Sequence, residues 1–121
     1  MSEKKNVLKD KSFSFAIRII NLYKYLSTAK NEYVLSKQLL RSGTAVGALI
    51  RESQNAESKA DFIHKLAIAQ KECDESIYWI ELLFHTNYLS STEYESISNE
   101  ATEILKIIRS IIITTKNKNR S

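Results

Sequence analysis

The chain has 121 residues, of which 43% are hydrophobic and 26% are charged. This length is enough for one domain with a real core, and this composition is too apolar for a disordered protein. The sequence has no apolar run long enough to span a membrane, no secretion signal and a single cysteine, so we expect a cytoplasmic protein without an intramolecular disulfide or a membrane partner.

The net charge of +4 is distributed unevenly along the chain. Residues 1–11 carry +2 and residues 12–56 carry +4, whereas residues 57–115 carry −5 and residues 116–121 carry +3. A basic first half with basic ends is typical of a chain that attracts nucleic acid, and the same asymmetry favours contact between the basic half of one copy and the acidic half of another. Scattered, solvated charge is the alternative interpretation.

The first predicted helix spans about residues 12–27 and follows a flexible, basic N-terminus over residues 1–11. Ser12 is a favourable residue for the helix N-cap. Apolar residues then recur at helical spacing and give the helix one broad apolar face. The residues of this face are Phe15, Ile19, Leu22 and Leu26, with Ala16, Ile20 and Tyr23 beside them.

A second helix is predicted over about residues 32–55. It carries two adjacent stripes with the alternating four- and three-residue spacing of helix-packing seams. One stripe contains Leu35, Leu39, Ser42, Val46 and Leu49, and the other contains Ser36, Leu40, Gly43, Gly47 and Ile50.

A third helix is predicted over about residues 58–85, with Ser58 and Asp61 in the spacing of a capping box. Its main stripe is apolar and contains Phe62, Leu66, Ala69, Cys73, Ile77, Ile80 and Phe84. A second stripe mixes charged and bulky side chains and contains Lys65, Ile68, Glu72, Glu75, Trp79 and Leu82.

The fourth predicted helix spans about residues 92–114 and follows a turn at residues 87–91. Thr92 and Glu95 have capping-box spacing. Its apolar seam contains Ile97, Ala101, Ile104, Ile108 and Ile111, and residues 116–121 form a basic tail that we expect to fray. Four helices with short connections predict an all-α, antiparallel up-down-up-down four-helix bundle.

Both glycines of the chain lie in the segment LLRSGTAVGALIRE, residues 39–52, and raise the question of phosphate binding. A phosphate-binding P-loop requires Lys and then Ser or Thr after its last glycine, but Ala48 and Leu49 follow Gly47. In a helix, Gly43 and Gly47 share one face, where missing side chains allow another backbone to approach closely. We interpret them as a helix-contact site, and the sequence leaves open whether the contacting helix belongs to the same chain.

The sequence predicts no catalytic, cofactor or metal site. The two histidines, His64 and His85, lack the Glu-x-x-His spacing of di-iron bundles. Cys73 lies on an apolar stripe, where we expect it to pack as a small hydrophobe. Glu72 and Glu75 are candidates for acid–base chemistry, but a structural ion pair is the better interpretation because basic partners are available.

Several polar side chains lie on otherwise apolar helix faces. A buried charge needs a partner, so we expect Arg41 to pair with Glu72 or Glu75 and to fix the register of the second and third helices. The predicted polar network and packing positions are Arg41, Ser42, Gly43, Gly47, Glu52, Glu72, Glu75 and Trp79, with Lys65 beside them.

Three segments closely resemble one known bacterial family. They are KSFSFAIRIINLY, VLSKQLLRSGTAVGALIRESQNAESKADFIHKLAIAQKECDESIYWIELL and TNYLS. The family consists of four-helix-bundle proteins encoded by intervening sequences in 23S rRNA genes, and its members are often labelled ribosomal proteins. The resemblance covers residues 11–115, and the RSGT…RE block followed by KxE and YWxELL is specific in combination.

This resemblance implies an antiparallel four-helix bundle and, as in several members, a ring-shaped homopentamer. It also implies similarity to the accessory protein of diversity-generating retroelements, a basic pentamer that binds nucleic acid and a reverse transcriptase. Family members commonly have Ser and Asn where this chain has Ala45 and Leu49, so a role that needs those polar groups is not expected here. The positions that match the family pattern are Arg41, Ser42, Gly43, Gly47, Glu52, Glu72 and Trp79.

Two functions are compatible with these features. The first is a non-enzymatic homo-oligomer, five subunits in the family's pattern, that binds RNA or DNA non-specifically. Its nucleic-acid-binding residues would be Lys24, Lys30, Lys37, Arg51, Lys116, Lys118 and Arg120. The alternative is a scaffold or adaptor for another protein, in which these basic residues only increase solubility.

Overall fold

The computed structural model describes residues 2–118, which form four α-helices. Their bounds are Ser2–Ala29 for α1, Val34–Gln54 for α2, Lys59–His85 for α3 and Ser91–Asn117 for α4. Each helix packs against its neighbours in sequence, and α4 closes the bundle by packing against α1. The predicted antiparallel four-helix bundle is therefore confirmed. Within residues 2–118, no helix combines the length and the apolar character that crossing a membrane requires.

The core lies along the bundle axis and receives side chains from all four helices. In α3 it is formed by the row of Leu66, Ala69, Cys73, Ser76, Ile80 and Leu83. The sequence analysis placed Ile77 and Phe84 in this row, but both are only partly buried and Ser76 and Leu83 take their places. The row shifts because α2 and α4 contact α3 from both sides. The largest fully buried side chains are Leu8, Phe15, Ile19, Leu26, Leu39, Ile50, Leu66, Ile80, Leu83, Ile104, Ile108 and Ile111.

The first helix starts ten residues earlier than predicted. Residues 2–11, which we expected to form a flexible N-terminus, continue α1. Leu8 is only 1% exposed, and it extends the buried face of α1 by two turns beyond Phe15, so tertiary packing stabilises a segment with a polar sequence. Ser12 is not a cap, because it is buried inside the helix and its hydroxyl donates to the carbonyl oxygen of Lys9 at 3.1 Å. Met1 lies outside the described residues.

The second helix begins at Val34, two residues later than predicted. Its N-cap residue, Tyr33, makes no side-chain capping bond, and Glu32 supplies the cap from one position earlier. The Glu32 carboxylate accepts the backbone N–H groups of Val34, Leu35 and Ser36 at 3.2, 2.9 and 2.8 Å. Burial of this carboxylate by itself raises its pKa, but the hydrogen bonds from Leu35 and Ser36 lower the pKa by more, so the net pKa lies below its ordinary value. The helix start is therefore stabilised by an ionised side chain.

Serine residues cap the other two helix starts. The predicted cap of α3 is confirmed, since the Ser58 hydroxyl accepts the N–H of Asp61 at 3.0 Å. The predicted cap of α4 is wrong: Ser90 and Glu93 form the capping box in place of Thr92 and Glu95. Both pairs have the required spacing, and Leu89, buried just before Ser90, accounts for the earlier start.

The fourth helix continues through Asn117, three residues beyond its predicted end. Thr115 is buried, and its hydroxyl donates to the carbonyl oxygen of Ile111 at 2.7 Å. The predicted basic tail, residues 116–121, thus begins inside the helix. Residues 119–121, including Arg120, lie outside the described part of the chain.

The two glycines lie at the contact between α1 and α2, so the approaching helix belongs to the same chain. A Cβ atom at Gly43 would lie 2.9 Å from Cγ1 of Ile19, whereas a Cβ atom at Gly47 would lie 3.4 Å from the carbonyl oxygen of Ser12. Ile19 is fully buried and β-branched, so its side chain has no free rotamer to move into. The contact therefore requires glycine at position 43 and tolerates a methyl group at position 47.

We expect opposite effects from alanine at the two glycines. Gly43→Ala should lower the free energy of unfolding by about 1–3 kcal/mol, because the added methyl overpacks the contact with Ile19. Gly47→Ala should raise it by up to about 1 kcal/mol, because alanine favours the helix and the methyl meets ordinary contacts. Urea unfolding followed by circular dichroism compares the two variants, and stabilisation by both would contradict this account of position 43.

The Glu32 cap predicts a dependence of stability on pH. Because the pKa of Glu32 is lowered in the folded chain, its stabilisation is complete above the ordinary value of 4.5 and is lost as the pH falls through the lowered pKa. Glu32→Gln should cost about 1–2 kcal/mol at pH 7, and this difference should shrink below pH 4.5. The measurement is urea unfolding between pH 3 and pH 7.

The exposed Glu95 offers a matched control for this prediction. Glu95→Gln should change the free energy of unfolding by less than about 0.5 kcal/mol at each pH. A Glu32→Gln effect that stays constant from pH 7 to pH 3 would contradict the assignment of an ionised cap.

Candidate functional surfaces

The contact between α2 and α3 carries the predicted polar network. Nη1 of Arg41 lies 3.2 Å from Oε1 of Glu72, and Nη2 of Arg41 bonds to Oε2 of Glu75. The same oxygen of Glu75 accepts the indole N–H of Trp79 at 3.2 Å. The expected pairing of Arg41 with a carboxylate of the third helix is thus present, and it involves both candidates.

This network lies at the surface, in contrast to the buried charge that we expected. The side chain of Arg41 is 51% exposed, and those of Glu72 and Glu75 are 18% and 33% exposed. Partial burial lowers the pKa of Arg41, but the two carboxylates raise it by more, so the guanidinium remains charged. Water screens such a pair, so its contribution to stability is modest.

Two further polar contacts hold α2 against α3. Inside the bundle, the hydroxyl of Ser76 donates to Oγ of Ser42 at 2.9 Å, and both side chains are buried. Near the other end of the seam, Nζ of Lys65 lies 3.2 Å from Oε1 of Glu52. The polar positions singled out in the sequence therefore bond to each other across one helix–helix seam.

The cysteine and the two histidines of the chain lie apart from one another. Cys73 is fully buried and its thiol donates to the carbonyl oxygen of Ala101 at 3.3 Å. Burial raises the pKa of Cys73 to about 12. His64 and His85 are exposed on α3, about 30 Å apart along the helix. Within residues 2–118, no three His, Cys, Asp or Glu side chains are grouped in a way that would hold a metal ion.

The basic residues that we assigned to nucleic-acid binding do not form one surface. Lys24, Lys30 and Lys37 flank the turn between α1 and α2. Arg51, Lys116 and Lys118 lie toward the opposite end of the bundle, which is about 40 Å away if the 28 residues of α1 are taken as its length. Arg120 lies outside the described residues. The up-and-down topology thus places these basic residues at two opposite ends of the bundle.

A cluster of lysines from three separate segments lies at the end opposite the α1–α2 turn. The antiparallel topology brings the start of α1, the α2–α3 turn and the end of α4 together there. Lys59 and Lys116 line the same open surface pocket, and Nζ of Lys5 lies 4.4 Å from the ring centroid of Phe62. We call Lys5, Lys59, Lys116 and Lys118 the basic end.

Sequence reasoning missed Lys59 and included Lys5 only as part of the basic N-terminus. Lys5 was assigned to a flexible segment, and Lys59 lies in the half of the chain with net negative charge. A signal was available, because the alternation of helix directions already places residues near 5, 59 and 116 at one end of the bundle. The acidic residues Glu57 and Asp61 are also at this end, so its positive charge is moderate.

An apolar surface lies exposed on α1. Phe13, Ile17 and Ile20 share one face of the helix and are 53%, 47% and 38% exposed. Beside them is a groove of about 220 Å³ between α1 and α2. We call it the α1–α2 groove, and it is lined by Lys9, Ser12, Phe13, Ala16, Ile20, Thr44, Gly47, Ala48 and Arg51. An apolar patch of this kind on one face of a helix is typical of a surface that binds another protein.

The groove was hidden from the sequence analysis for a physical reason. Periodicity identifies the face of α1 that points to the core, and Phe13 and Ile17 fall outside that stripe. They are exposed although they are large and apolar. The guanidinium carbon of Arg51 lies over the ring of Phe13, 5.4 Å from its centroid. Their exposure is the signal that only the structure supplies.

The chain is similar to known proteins along most of its length. A family model described as 23S rRNA-intervening sequence protein matches residues 4–110. A crystal structure of a protein of unknown function from the S23 ribosomal protein family of Bacteroides thetaiotaomicron VPI-5482 has 58% sequence identity and a TM-score of 0.89, over 90% of this chain and 97% of that chain. No curated protein matches the chain. The resemblance drawn from the sequence is confirmed.

The polar network predicts measurable coupling between Arg41 and Glu75. In a double-mutant cycle with Arg41→Met and Glu75→Gln, we expect a coupling energy of about 0.5–1 kcal/mol that decreases with salt, because the pair is half-exposed. The single tryptophan of the chain, Trp79, bonds to Glu75, so its fluorescence reports both unfolding and the state of the network.

The pair of Arg109 and Asp74 is the control for this cycle. Its charged atoms are 3.9 Å apart and both side chains are about half-exposed, so its coupling should be below about 0.3 kcal/mol. If the Arg41→Met variant keeps the full stability of the parent, the network does not fix the register of α2 and α3.

Proposed function

The chain belongs to the 23S rRNA-intervening sequence protein family, and we propose that it is a non-enzymatic, self-associating four-helix bundle that binds RNA or DNA non-specifically. The observation that carries the proposal is the presence, on one small bundle, of an exposed apolar face on α1 and a separate basic end. The first surface suits a protein contact and the second suits phosphate groups.

The state of the reactive side chains supports a function without catalysis. At neutral pH Cys73 is a buried thiol, and the thiolate is the nucleophilic form of cysteine. The carboxylates Glu72 and Glu75 are engaged by Arg41. Cys73 and the two candidate carboxylates are therefore buried or used in helix packing.

Self-association is supported by the apolar face of α1. Full burial of a large apolar side chain contributes about 1.5–3 kcal/mol, and Phe13, Ile17 and Ile20 are all about half-exposed in the isolated chain. A second copy that covers them would gain part of this free energy. Five subunits is the number that the family resemblance suggests.

Nucleic-acid binding is supported by the basic end. Lys5, Lys59, Lys116 and Lys118 come from three segments that the fold brings together, and lysines bind phosphate oxygens whatever the base sequence. In an assembly, several copies of this end would act on one nucleic acid. The proposed compartment is the cytoplasm, where Cys73 stays reduced and RNA is abundant.

Binding to labelled single-stranded DNA and structured RNA tests the nucleic-acid part. With four phosphate contacts per chain, affinity should fall about 50- to 150-fold between 50 and 200 mM salt. A variant with Lys5, Lys59, Lys116 and Lys118 changed to glutamine should bind far more weakly and show a shallower salt slope. Fluorescence anisotropy gives the affinities, and light scattering verifies that the oligomer is intact.

A variant that removes three lysines at the other end separates this surface from general charge. Lys24, Lys30 and Lys37 changed to glutamine should weaken binding much less. An equal loss in both variants would contradict the basic end as the binding surface. If the parent assembly binds no nucleic acid even at 50 mM salt, nucleic-acid binding is wrong and the function is that of a protein scaffold.

A further inference from the structure

We infer that the α1–α2 groove of one copy receives an acidic ridge on α3 of another copy, with Tyr78 seated in the groove. We call Asp74, Tyr78 and Glu81 the Tyr78 ridge; all three are exposed on one face of α3. The inference rests on the proposed self-association and specifies which two surfaces meet.

The groove has the shape and charge of a receptor for an aromatic side chain. Its lining combines the small residues Ala16, Gly47 and Ala48 with the larger apolar residues Phe13 and Ile20. The two charged residues that line it, Lys9 and Arg51, are both basic. An occupant should therefore combine a bulky apolar group with negative charge beside it.

The Tyr78 ridge has these properties. Tyr78 is 55% exposed, and the edge-to-face contact of its ring with Trp79, at a centroid distance of 5.1 Å, restricts its orientation. One helical turn to either side lie the exposed carboxylates Asp74 and Glu81, about 10 Å apart along α3. Arg109 of α4 lies 3.9 Å from Asp74 in a half-exposed pair, so the negative charge of the ridge comes mainly from Glu81. Tyrosine is also enriched at the centre of protein interfaces.

Two other exposed apolar side chains, Ile113 and Val34, fit the groove less well because of their neighbours. Ile113 on α4 is 59% exposed, but Arg109 and Lys116 lie one turn away on either side. Val34 at the start of α2 lies between Lys30 and Lys37 in sequence. Both would bring positive charge toward Lys9 and Arg51, which disfavours contact.

The same charges favour a head-to-tail contact over a symmetric one. Two grooves face to face would bring Lys9 and Arg51 against their own copies, and two ridges would bring carboxylates together. When the groove of one copy contacts the ridge of another copy, opposite charges meet. Because α1 and α3 are diagonal helices of the bundle, one chain presents the groove and the ridge on different sides and can contact two neighbours at once, which is the requirement for a ring.

Substitutions at two exposed residues test the contact between the groove and the ridge. The groove variant Phe13→Asp places a carboxylate where the acidic ridge would dock, and the ridge variant Tyr78→Lys places a cation against Lys9 and Arg51. Each should raise the dissociation constant of self-association by about tenfold or more, as loss of a central interface residue does. Ile113→Lys is the matched control and should leave association unchanged. Circular dichroism verifies that each variant is folded.

Mixing the two variants gives the decisive measurement. The Phe13→Asp chain keeps an intact ridge and the Tyr78→Lys chain keeps an intact groove, so an equimolar mixture should form a dimer with one copy of each and nothing larger. One contact is weaker than a closed assembly. The mixture is therefore followed by native mass spectrometry and light scattering up to about a hundredfold above the concentration at which the parent assembles.

The outcomes separate this inference from the proposed function. A parent chain that stays monomeric would overturn both. A parent that assembles while Tyr78→Lys assembles equally well would overturn the ridge alone, and loss in Phe13→Asp only would indicate a symmetric groove-to-groove contact. Failure of the mixed variants to pair at any concentration would also overturn the assignment.

Discussion

The close approach of α1 to α2 at Gly43 is the constraint on which the other surfaces depend. Ile19 fills the space left by the missing side chain, and this contact sets the rotation of α1 about its axis. With Ile19 directed inward, its neighbours Ile20, Ile17 and Phe13 must face outward. The exposed apolar face of α1 is thus the other side of a tight internal contact, and Gly47, one turn after Gly43 on α2, lines the groove beside it.

Helix α2 contacts α1 and α3 through different kinds of interaction. Toward α1 the contact is made by close packing and small residues, whereas toward α3 it combines apolar packing with the buried pair Ser42–Ser76 and with ion pairs at the rim. Each ion pair at the rim needs a specific partner. The ion pairs therefore favour one register of α3 against α2 over registers that are shifted by one turn. Apolar packing alone discriminates less between such registers.

The sequence predicted those features that depend on local spacing. Helical periodicity gave the four helices, the Ser58 cap follows from a local motif, and the link of Arg41 to Glu72 and Glu75 follows from charge on facing stripes. The errors arose where tertiary packing decides. Leu8 is a single apolar residue in a charged segment, and only its burial shows that α1 includes it. Ser90 and Thr92 satisfy the same capping rule, and the burial of Leu89 selects between them. The candidate surfaces were the hardest to predict, because an exposed apolar face has the same helical spacing as a core face and because the basic end is assembled from distant segments.

The even number of antiparallel helices has a practical consequence for work with this protein. Ser2 and Lys118 lie at the same end of the bundle, so a purification tag or fluorescent protein fused to either terminus would project beside the lysines of the basic end. Such a fusion would sterically obstruct the surface that we propose to bind phosphate groups. The turn around Asn31, at the opposite end, is remote from the basic end and is a better site for inserting a label or for opening a circularly permuted chain.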